Sequence, residues 1–291
     1  HEPDDLLHEA DLAMYRAKAG GRARYEIFDT RMAERAMERL ELESELRKAV
    51  ERRELELTYE PVVNLSSGAI DAFEGRLGWR HPRRGLLELI EFLPVAEDTG
   101  LMVDLGAWAL DQACRAAQRW QALRPGVLVE MRLSARQLDH PGLVDGVEGT
   151  LVATGLPAGC LRLSVPEASL TGDPQAVATL LDALTGLGVR VALDDVGAGV
   201  SSLASLSQLP VDTLKIGSTV GNSAGLVRAS VALAAALDMT LTVRGIQHPD
   251  EAARLAAVGC RRGQGALYGA PMSAQAVEEL LARAVVDLRA A

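Results

Sequence analysis

From residue 54 to residue 288, short apolar runs alternate with segments whose apolar positions recur every three to four residues. Runs of the first kind are typical of β-strands, and segments of the second kind are typical of amphipathic helices. The runs predict strands at 55–64, 70–77, 127–133, 161–165, 189–194, 213–216, 240–245 and 263–267. The periodic segments predict helices at 104–120, 141–154, 173–187, 222–237, 249–258 and 274–288.

The order of these segments predicts an α/β fold, because helical segments fall between most of the eight strands. Over this length, such an alternation is typical of a (β/α)8 TIM-like barrel. Only a short Ser-Ser-Gly turn at 66–68 joins the first two strands. A turn of that length joins antiparallel neighbours, so we expect an antiparallel first strand, which departs from the regular barrel.

The segment before the barrel is predicted to contain two structural units. Residues 1–29 predict a short helix and a small strand, which together are too small to fold alone. Residues 30–53 predict a charged helix with an apolar stripe at Met32, Ala36, Leu40, Leu46 and Val50. This stripe is weak, so the pattern favours a solvated linker helix over a long coiled coil.

Composition argues against a nucleic-acid-binding protein and against a membrane-spanning segment in this sequence. The chain has 291 residues, of which 48% are hydrophobic and 3% aromatic, and its net charge is −10. The acidic balance and the lack of a basic stripe argue against nucleic-acid binding. Cys114, Cys160 and Cys260 have no metal-ligand spacing, which predicts buried, reduced thiols in a cytoplasmic domain. The longest apolar stretch, near 230–237, is too short to span a bilayer, so any membrane anchor would belong to a longer parent protein.

Charged and polar residues stand where the predicted strands end. In a barrel of this kind, those ends form the functional rim. The residues are Glu74, Arg132, Ser164, Glu167, Asp194, Asp195, Lys215, Arg244, Gln247 and Gln264. The carboxylates alone would indicate a magnesium or manganese site. Arg132 and Arg244 argue against it, because a guanidinium cannot ligate a metal and would itself balance the carboxylates.

Structural interpretations of the same residues stay open. The pair Asp194 and Asp195 can cap the turn after a buried strand, and Lys215 can serve only as an ion-pair partner. The Gly197 and Gly199 loop is a weak phosphate motif because it lacks the full glycine pattern. Residues 79–82 predict a structural turn with a core tryptophan, and no histidine lies at a strand end.

Five segments together resemble the EAL domain, a cyclic di-GMP phosphodiesterase family. They are YEPVVNLSSGAIDAFEGRLGWRHP, LSARQL, ALDDVGAGVSSL, LPVDTLKIG and GQGALYGAP, within residues 54–284. The stretch ADLAMYRAKAGGRARYEIFD at 10–29 resembles the last helix and strand of a GGDEF (diguanylate cyclase) domain. The resemblance implies a piece of a bacterial tandem GGDEF-EAL protein, with a GGDEF tail at 1–29, a linker at 30–53 and an EAL barrel at 54–291.

The family hydrolyses one phosphodiester of cyclic di-GMP with two magnesium or manganese ions. The resemblance places matching residues at Glu74, Glu167, Asp194, Asp195, Lys215 and Gln264. It also identifies departures at Glu60, Arg76, Gly78, Arg132, Ser164, Gly217, Arg244 and Gln247. Arg132 stands where the family has a metal-binding Asn, and Ser164 stands where it has a metal-binding Glu.

These departures predict a degenerate EAL domain that neither holds a metal cofactor nor hydrolyses its family's substrate. We expect Arg132 and Arg244 to replace the metals as counter-ions of Glu74, Asp194 and Asp195. The favoured function is a regulatory or protein-interaction module, forming a homodimer through a face that carries the 197–203 loop. Its other partners would be a protein or an upstream sensory or GGDEF domain.

One alternative is a metal-independent receptor for cyclic di-GMP or another phosphate ligand, with Arg76, Arg132 and Arg244 as the candidate ligand-binding residues. Glu60 and Gly78 weigh against it, because the first adds negative charge and the second removes a phosphate contact. An active phosphodiesterase is the least favoured function.

Overall fold

The computed structural model describes residues 30–171, 174–197, 206–217 and 223–290, and at 30–36, 174 and 284–290 it describes the backbone alone. The GGDEF-like tail predicted at 1–29 and most of the 197–203 loop lie outside the described residues.

The described chain alternates strands and helices. The strands are β1 (Leu55–Asn64), β2 (Ile70–His81), β3 (Gly85–Glu88), β4 (Leu128–Arg132), β5 (Leu161–Pro166), β6 (Arg190–Asp194), β7 (Thr213–Ile216), β8 (Thr240–Val243) and β9 (Arg262–Gln264). The helices are α1 (Thr30–Ala49), α2 (Leu89–Asp98), α3 (Leu101–Leu123), α4 (Ala135–Leu138), α5 (Leu143–Thr154), α6 (Pro174–Gly186), α7 (Ala224–Ala236), α8 (Pro249–Ala257) and α9 (Ala274–Ala290).

Eight of these strands close into a barrel, which confirms the predicted fold. The order around the sheet is β1-β9-β8-β7-β6-β5-β4-β2, and β1 also pairs with β2. As predicted, β1 is antiparallel to its neighbours, whereas β2 and β4 to β9 are parallel where they pair. The parallel register places Arg132 beside Ser164 and Pro166 beside Asp194, so the predicted rim residues share one end of the barrel.

Outside the barrel, β3 pairs with an extension of β2. The prediction ended the second strand at 77, but β2 continues to His81 and turns back so that Trp79 pairs with Leu87. The sequence did not predict β3, because its four residues are too few to show alternation. The prediction that no histidine lies at a strand end was therefore wrong for His81, although this strand end lies on the hairpin rather than at the barrel rim.

The prediction for the linker helix was wrong in two respects. Helix α1 ends at Ala49 rather than at residue 53, and it buries Leu42, Leu46 and Ala49 and packs on α2. Leu40 and Val50, which the predicted stripe included, are exposed. The buried face shares only Leu46 with the described part of the predicted stripe, because a weak stripe does not indicate which face will pack.

The core lies inside the barrel and between the barrel and its helices. Trp79 and Trp120 are completely buried, as predicted for Trp79, and Tyr59 meets Trp120 edge to face. Cys114, Cys160 and Cys260 are all buried and free of disulfides. Among the described residues, no helix combines the length and the apolar character needed to cross a bilayer.

Candidate functional site

The end of β6 supplies the two adjacent carboxylates of the rim. Asp194 is completely buried, and its Oδ1 accepts a hydrogen bond of 2.8 Å from the backbone N–H of Asp195. Asp195 has φ +58°, in the left-handed region that Asp adopts more readily than most residues. This backbone conformation lets two consecutive residues direct their carboxylates to the same group of cations.

Two arginines bind both of these carboxylates. Arg132, at the end of β4, places one guanidinium nitrogen 2.9 Å from Asp194 Oδ2 and the other 2.7 Å from Asp195 Oδ2. Arg244 follows β8, donates to Asp195 and lies 3.2 Å from Asp194 Oδ1. Burial alone would lower the pKa of Arg132, but Asp194 and Asp195 raise it. Two guanidinium cations thus neutralise two carboxylates at the barrel end, where the strand positions predicted all four side chains.

Glu74 pairs with Lys215, in keeping with the interpretation of Lys215 as an ion-pair partner. Its Oε2 accepts hydrogen bonds from Lys215 Nζ at 3.1 Å and from Gln264 Nε2 at 2.5 Å, all three side chains being buried. No hydrogen bond or ion pair joins Glu74 to Arg132 or Arg244 among the described residues, so these arginines act on Glu74 only through longer-range charge attraction. Burial would raise the pKa of Glu74, but Lys215, Gln264 and the charge of Arg244 lower it below its usual range.

The sequence reasoning missed Glu130. This residue lies in the middle of β4, is 1% exposed, and accepts a hydrogen bond from Lys215. Arg162 on β5 lies 3.8 Å from Glu130 and 3.2 Å from Asp212. The sequence does contain a signal for Glu130, because it is a charged residue inside an apolar strand. It lies two positions before Arg132 and therefore on the same face of β4.

A cavity of about 830 Å³ opens beside these residues. Glu74, Arg132, Asp195, Arg244 and Gln264 line it at the barrel end. Glu60, Arg76 and Gly78 line it on the side of β1 and β2. Arg76 binds Glu60 at 2.8 Å and lies 3.6 Å from Glu88. Each of the three arginines that line the cavity is therefore already bound to carboxylates.

The remaining predicted residues lie around this cluster. Ser164 is completely buried beside Arg132, and its Oγ has no hydrogen-bond partner in the described part of the chain. Glu167 Oε2 accepts a 3.0 Å hydrogen bond from the backbone N–H of Gly197. Gln247 is exposed and outside the cavity lining, and Gly217 ends a described segment. The structure thus brings most of the predicted residues together and separates Gln247 from them.

Part of the oxygen donor set that a divalent metal ion would use is already bound by arginine. Within the described residues, no group of three or more His, Cys, Asp or Glu side chains is arranged to hold a metal. The guanidinium groups of Arg132 and Arg244 bind the oxygens of Asp194 and Asp195 that a metal would need. A magnesium or manganese ion at this position would also meet two fixed positive charges.

Comparison with known proteins gives one family. The sequence model of the family described as "EAL domain" matches residues 43–271. The chain is 39% identical over 286 residues to the bifunctional diguanylate cyclase/cyclic di-GMP phosphodiesterase MucR of Pseudomonas aeruginosa, covering 96% of this chain and 41% of MucR. It is 34% identical to the cyclic di-GMP phosphodiesterase NbdA of the same organism, covering 96% of this chain and 36% of NbdA.

A solved structure supports the same family. The structure described as the PaMucR phosphodiesterase in complex with c-di-GMP superposes with a TM-score of 0.79 and 37% identity, covering 81% of this chain and 99% of that one. The chain spans well under half of the length of MucR and NbdA.

Proposed function

Because this chain belongs to the EAL domain family, we propose that it is a non-hydrolytic member that serves as a regulatory or protein-interaction module in cyclic di-GMP signalling. One observation carries the proposal. Arg132 and Arg244 bind Asp194 and Asp195 through close, charge-assisted contacts. Positively charged side chains therefore hold the carboxylates that the family resemblance assigns to metal ions.

Lys215 and Glu74 do not supply the water activation that bound metal ions provide in phosphodiester hydrolysis. Hydrolysis of a phosphodiester needs a group that activates water and a cation that stabilises the charge on the phosphate. The carboxylates of Glu130 and Glu74 raise the pKa of Lys215 despite its burial, so its amine stays protonated and cannot act as a base. Glu74 already accepts hydrogen bonds from Lys215 and Gln264.

A second candidate function is a metal-independent receptor for cyclic di-GMP or another phosphate ligand. Its support is that Arg76, Arg132 and Arg244 all line the cavity. Against it, each of the three guanidinium groups is already bound to a carboxylate, so a phosphate would have to share these cations with Glu60, Asp194 and Asp195. The neighbouring negative charges weaken the attraction of each arginine for a phosphate.

The regulatory proposal extends to the parent protein. We propose that this piece belongs to a degenerate GGDEF-EAL protein with a sensory or GGDEF domain upstream, that it acts in the cytoplasm, and that it forms a homodimer. Helix α1 supports the first part, because it leads into the barrel, buries Leu42, Leu46 and Ala49, and packs on α2. A change in an upstream domain could therefore reach the barrel through α1.

Incubation of the purified chain with cyclic di-GMP and millimolar magnesium or manganese tests the proposal directly. Chromatography should detect no linear pGpG above a sample without protein, while the phosphodiesterase portion of MucR in parallel should produce it. Formation of pGpG at a rate proportional to the concentration of this chain would refute the proposal. Calorimetry with cyclic di-GMP, with and without magnesium, decides between the module and the receptor.

A further inference from the structure

We propose that the cavity binds a basic, amphipathic peptide segment of a partner protein. The inference rests on the proposed regulatory function, since it names the kind of partner that the module recognises. Three independent features of the cavity carry it: the balance of its charges, its exposed apolar wall, and two polar atoms without partners.

Carboxylates outnumber cations in the cavity lining. The lining contains the five acidic residues Glu56, Glu60, Glu74, Glu88 and Asp195 and the three arginines Arg76, Arg132 and Arg244. The three arginines are paired with carboxylates, and Glu56 and Glu74 are paired with Arg80 and Lys215 outside the lining. The side chain of Glu88, in contrast, is 69% exposed and meets Arg76 only at 3.6 Å. A lysine or arginine of a partner meets a favourable potential here, and a bound phosphate meets an unfavourable one.

One wall of the cavity is apolar and open to solvent. Leu86 on β3 and Ile90 on α2 line the cavity and are 51% and 72% exposed. Leu93 and Met102 continue this wall towards the interior. Exposed large aliphatic side chains beside carboxylates suit a segment that alternates apolar and basic residues.

Two buried polar atoms of lining residues have no hydrogen-bond partner in the described part of the chain. They are the Oε1 acceptor of Gln264 and the Nε donor of Arg244. Gln264 is 3% exposed, and its amide orientation is fixed because Nε2 must donate to Glu74. A peptide supplies both a donor for Gln264 and a carbonyl acceptor for Arg244. A simple ammonium ion supplies only the donor.

Fluorescence anisotropy tests the inference with three labelled peptides of eight residues: alternating Lys and Leu, alternating Lys and Ser, and alternating Glu and Leu. The Lys-Leu peptide should bind at least tenfold more tightly than either of the others. The Glu56→Gln/Glu88→Gln variant and the Leu86→Ser/Ile90→Ser variant should each weaken its binding about tenfold.

Matched controls use exposed residues outside the cavity lining. The variants Glu148→Gln/Glu279→Gln and Val152→Ser remove the same kinds of charge and apolar surface from α5 and α9. They should leave binding of the Lys-Leu peptide unchanged. Equal weakening by the control and cavity variants would overturn the inference, because it would indicate non-specific attraction to an acidic protein.

Two further outcomes are decisive. Tighter binding of cyclic di-GMP than of the Lys-Leu peptide would overturn the inference and favour the receptor. The hydrolysis assay on the same preparation keeps the two proposals apart. Absence of pGpG together with no cavity-dependent peptide binding refutes only the peptide inference, whereas formation of pGpG refutes the proposed function itself.

Discussion

Lys215 and Glu130 form an ion pair inside the barrel, where their side chains are 0% and 2% exposed. The pair joins β7 to β4 across the barrel interior, and Lys215 also binds Glu74 of β2. One ammonium group thus holds two buried carboxylates that come from strands far apart in the sequence. The stability of the barrel end depends on this cation.

Lys215→Met should therefore destabilise the protein strongly. Removal of one member of a buried ion pair typically costs about 3–5 kcal/mol, because the remaining charge is left without a partner. The free energy of unfolding from urea titration at pH 7 measures this loss. The variant Lys215→Met/Glu130→Gln should recover part of it, and no recovery would contradict the pairing.

The loss of stability in Lys215→Met should depend on pH. In the parent protein, Lys215 and Gln264 lower the pKa of Glu74 below its unfolded value of 4.5, despite the opposing effect of burial. The stabilisation from ionised Glu74 is therefore complete above pH 4.5 and is lost as the pH falls below it. The difference in melting temperature between the parent and Lys215→Met should shrink below pH 4.5. A difference that stays constant from pH 7 to pH 3 would show that Glu74 is not involved.

Arg132→Ala and Arg244→Ala should each destabilise the protein by about 1–3 kcal/mol, the cost of leaving a buried or partly buried charge without its partner. Arg228→Ala, at an exposed position of α7, is the matched control and should change the free energy of unfolding little. Calorimetric melting measures all three variants. Equal effects at the three positions would contradict the counter-ion role.

Magnesium should not raise the melting temperature of the parent protein, because the two guanidinium groups occupy the carboxylates. The double variant Arg132→Asn/Arg244→Glu removes both cations and adds oxygen ligands. Millimolar magnesium or manganese should raise its melting temperature by a measurable amount. A gain of several degrees by the parent protein itself would contradict the proposed absence of a metal.

Docking of α1 on the hairpin should weaken in acid. His81 Nδ1 accepts hydrogen bonds from the backbone N–H groups of Arg83 and Arg84, so its Nε2 carries the proton and donates to Glu45 at 2.7 Å. The hydrogen bond from His81 lowers the pKa of Glu45 below its ordinary 4.5. The contact therefore stabilises above pH 4.5 and is lost as the pH falls below it.

Glu45→Gln tests this contact. The parent should melt at a higher temperature than the variant at pH 7, and the difference should shrink below pH 4.5. Glu43→Gln is the matched control, because Glu43 pairs with Arg47 within α1 and does not contact the barrel hairpin. A similar loss in both variants would show that helix charge rather than docking determines the effect.

Two glycines should respond oppositely to alanine. Gly265 has φ +148°, and an added Cβ would lie 2.3 Å from the backbone oxygen of Ile246, so Gly265→Ala should cost well over about 1 kcal/mol. Gly149 lies inside α5 with nothing within 4 Å of an added Cβ. Gly149→Ala should stabilise the protein by about 0.5–1 kcal/mol. Urea denaturation of both variants measures the contrast, and a loss at Gly149 would contradict it.

The sequence by itself determined the barrel and most of its rim. Strands of four to ten residues with intervening helices predict parallel neighbours, and the ends of parallel strands meet at one end of a barrel. Arg132, Asp194 and Arg244 could therefore be placed together from their positions after strands alone. The weak stripe of α1 and the four residues of β3 carried too little periodicity for the same inference.

Only the tertiary structure decided which cation meets which carboxylate. Lys215 binds Glu74 and Glu130, whereas the two arginines bind Asp194 and Asp195. The choice depends on the reach of each side chain across the barrel interior and on burial, which makes any unpaired charge costly. Strand periodicity fixes the face on which a side chain lies, but a distance between side chains on opposite strands exists only once the barrel has closed.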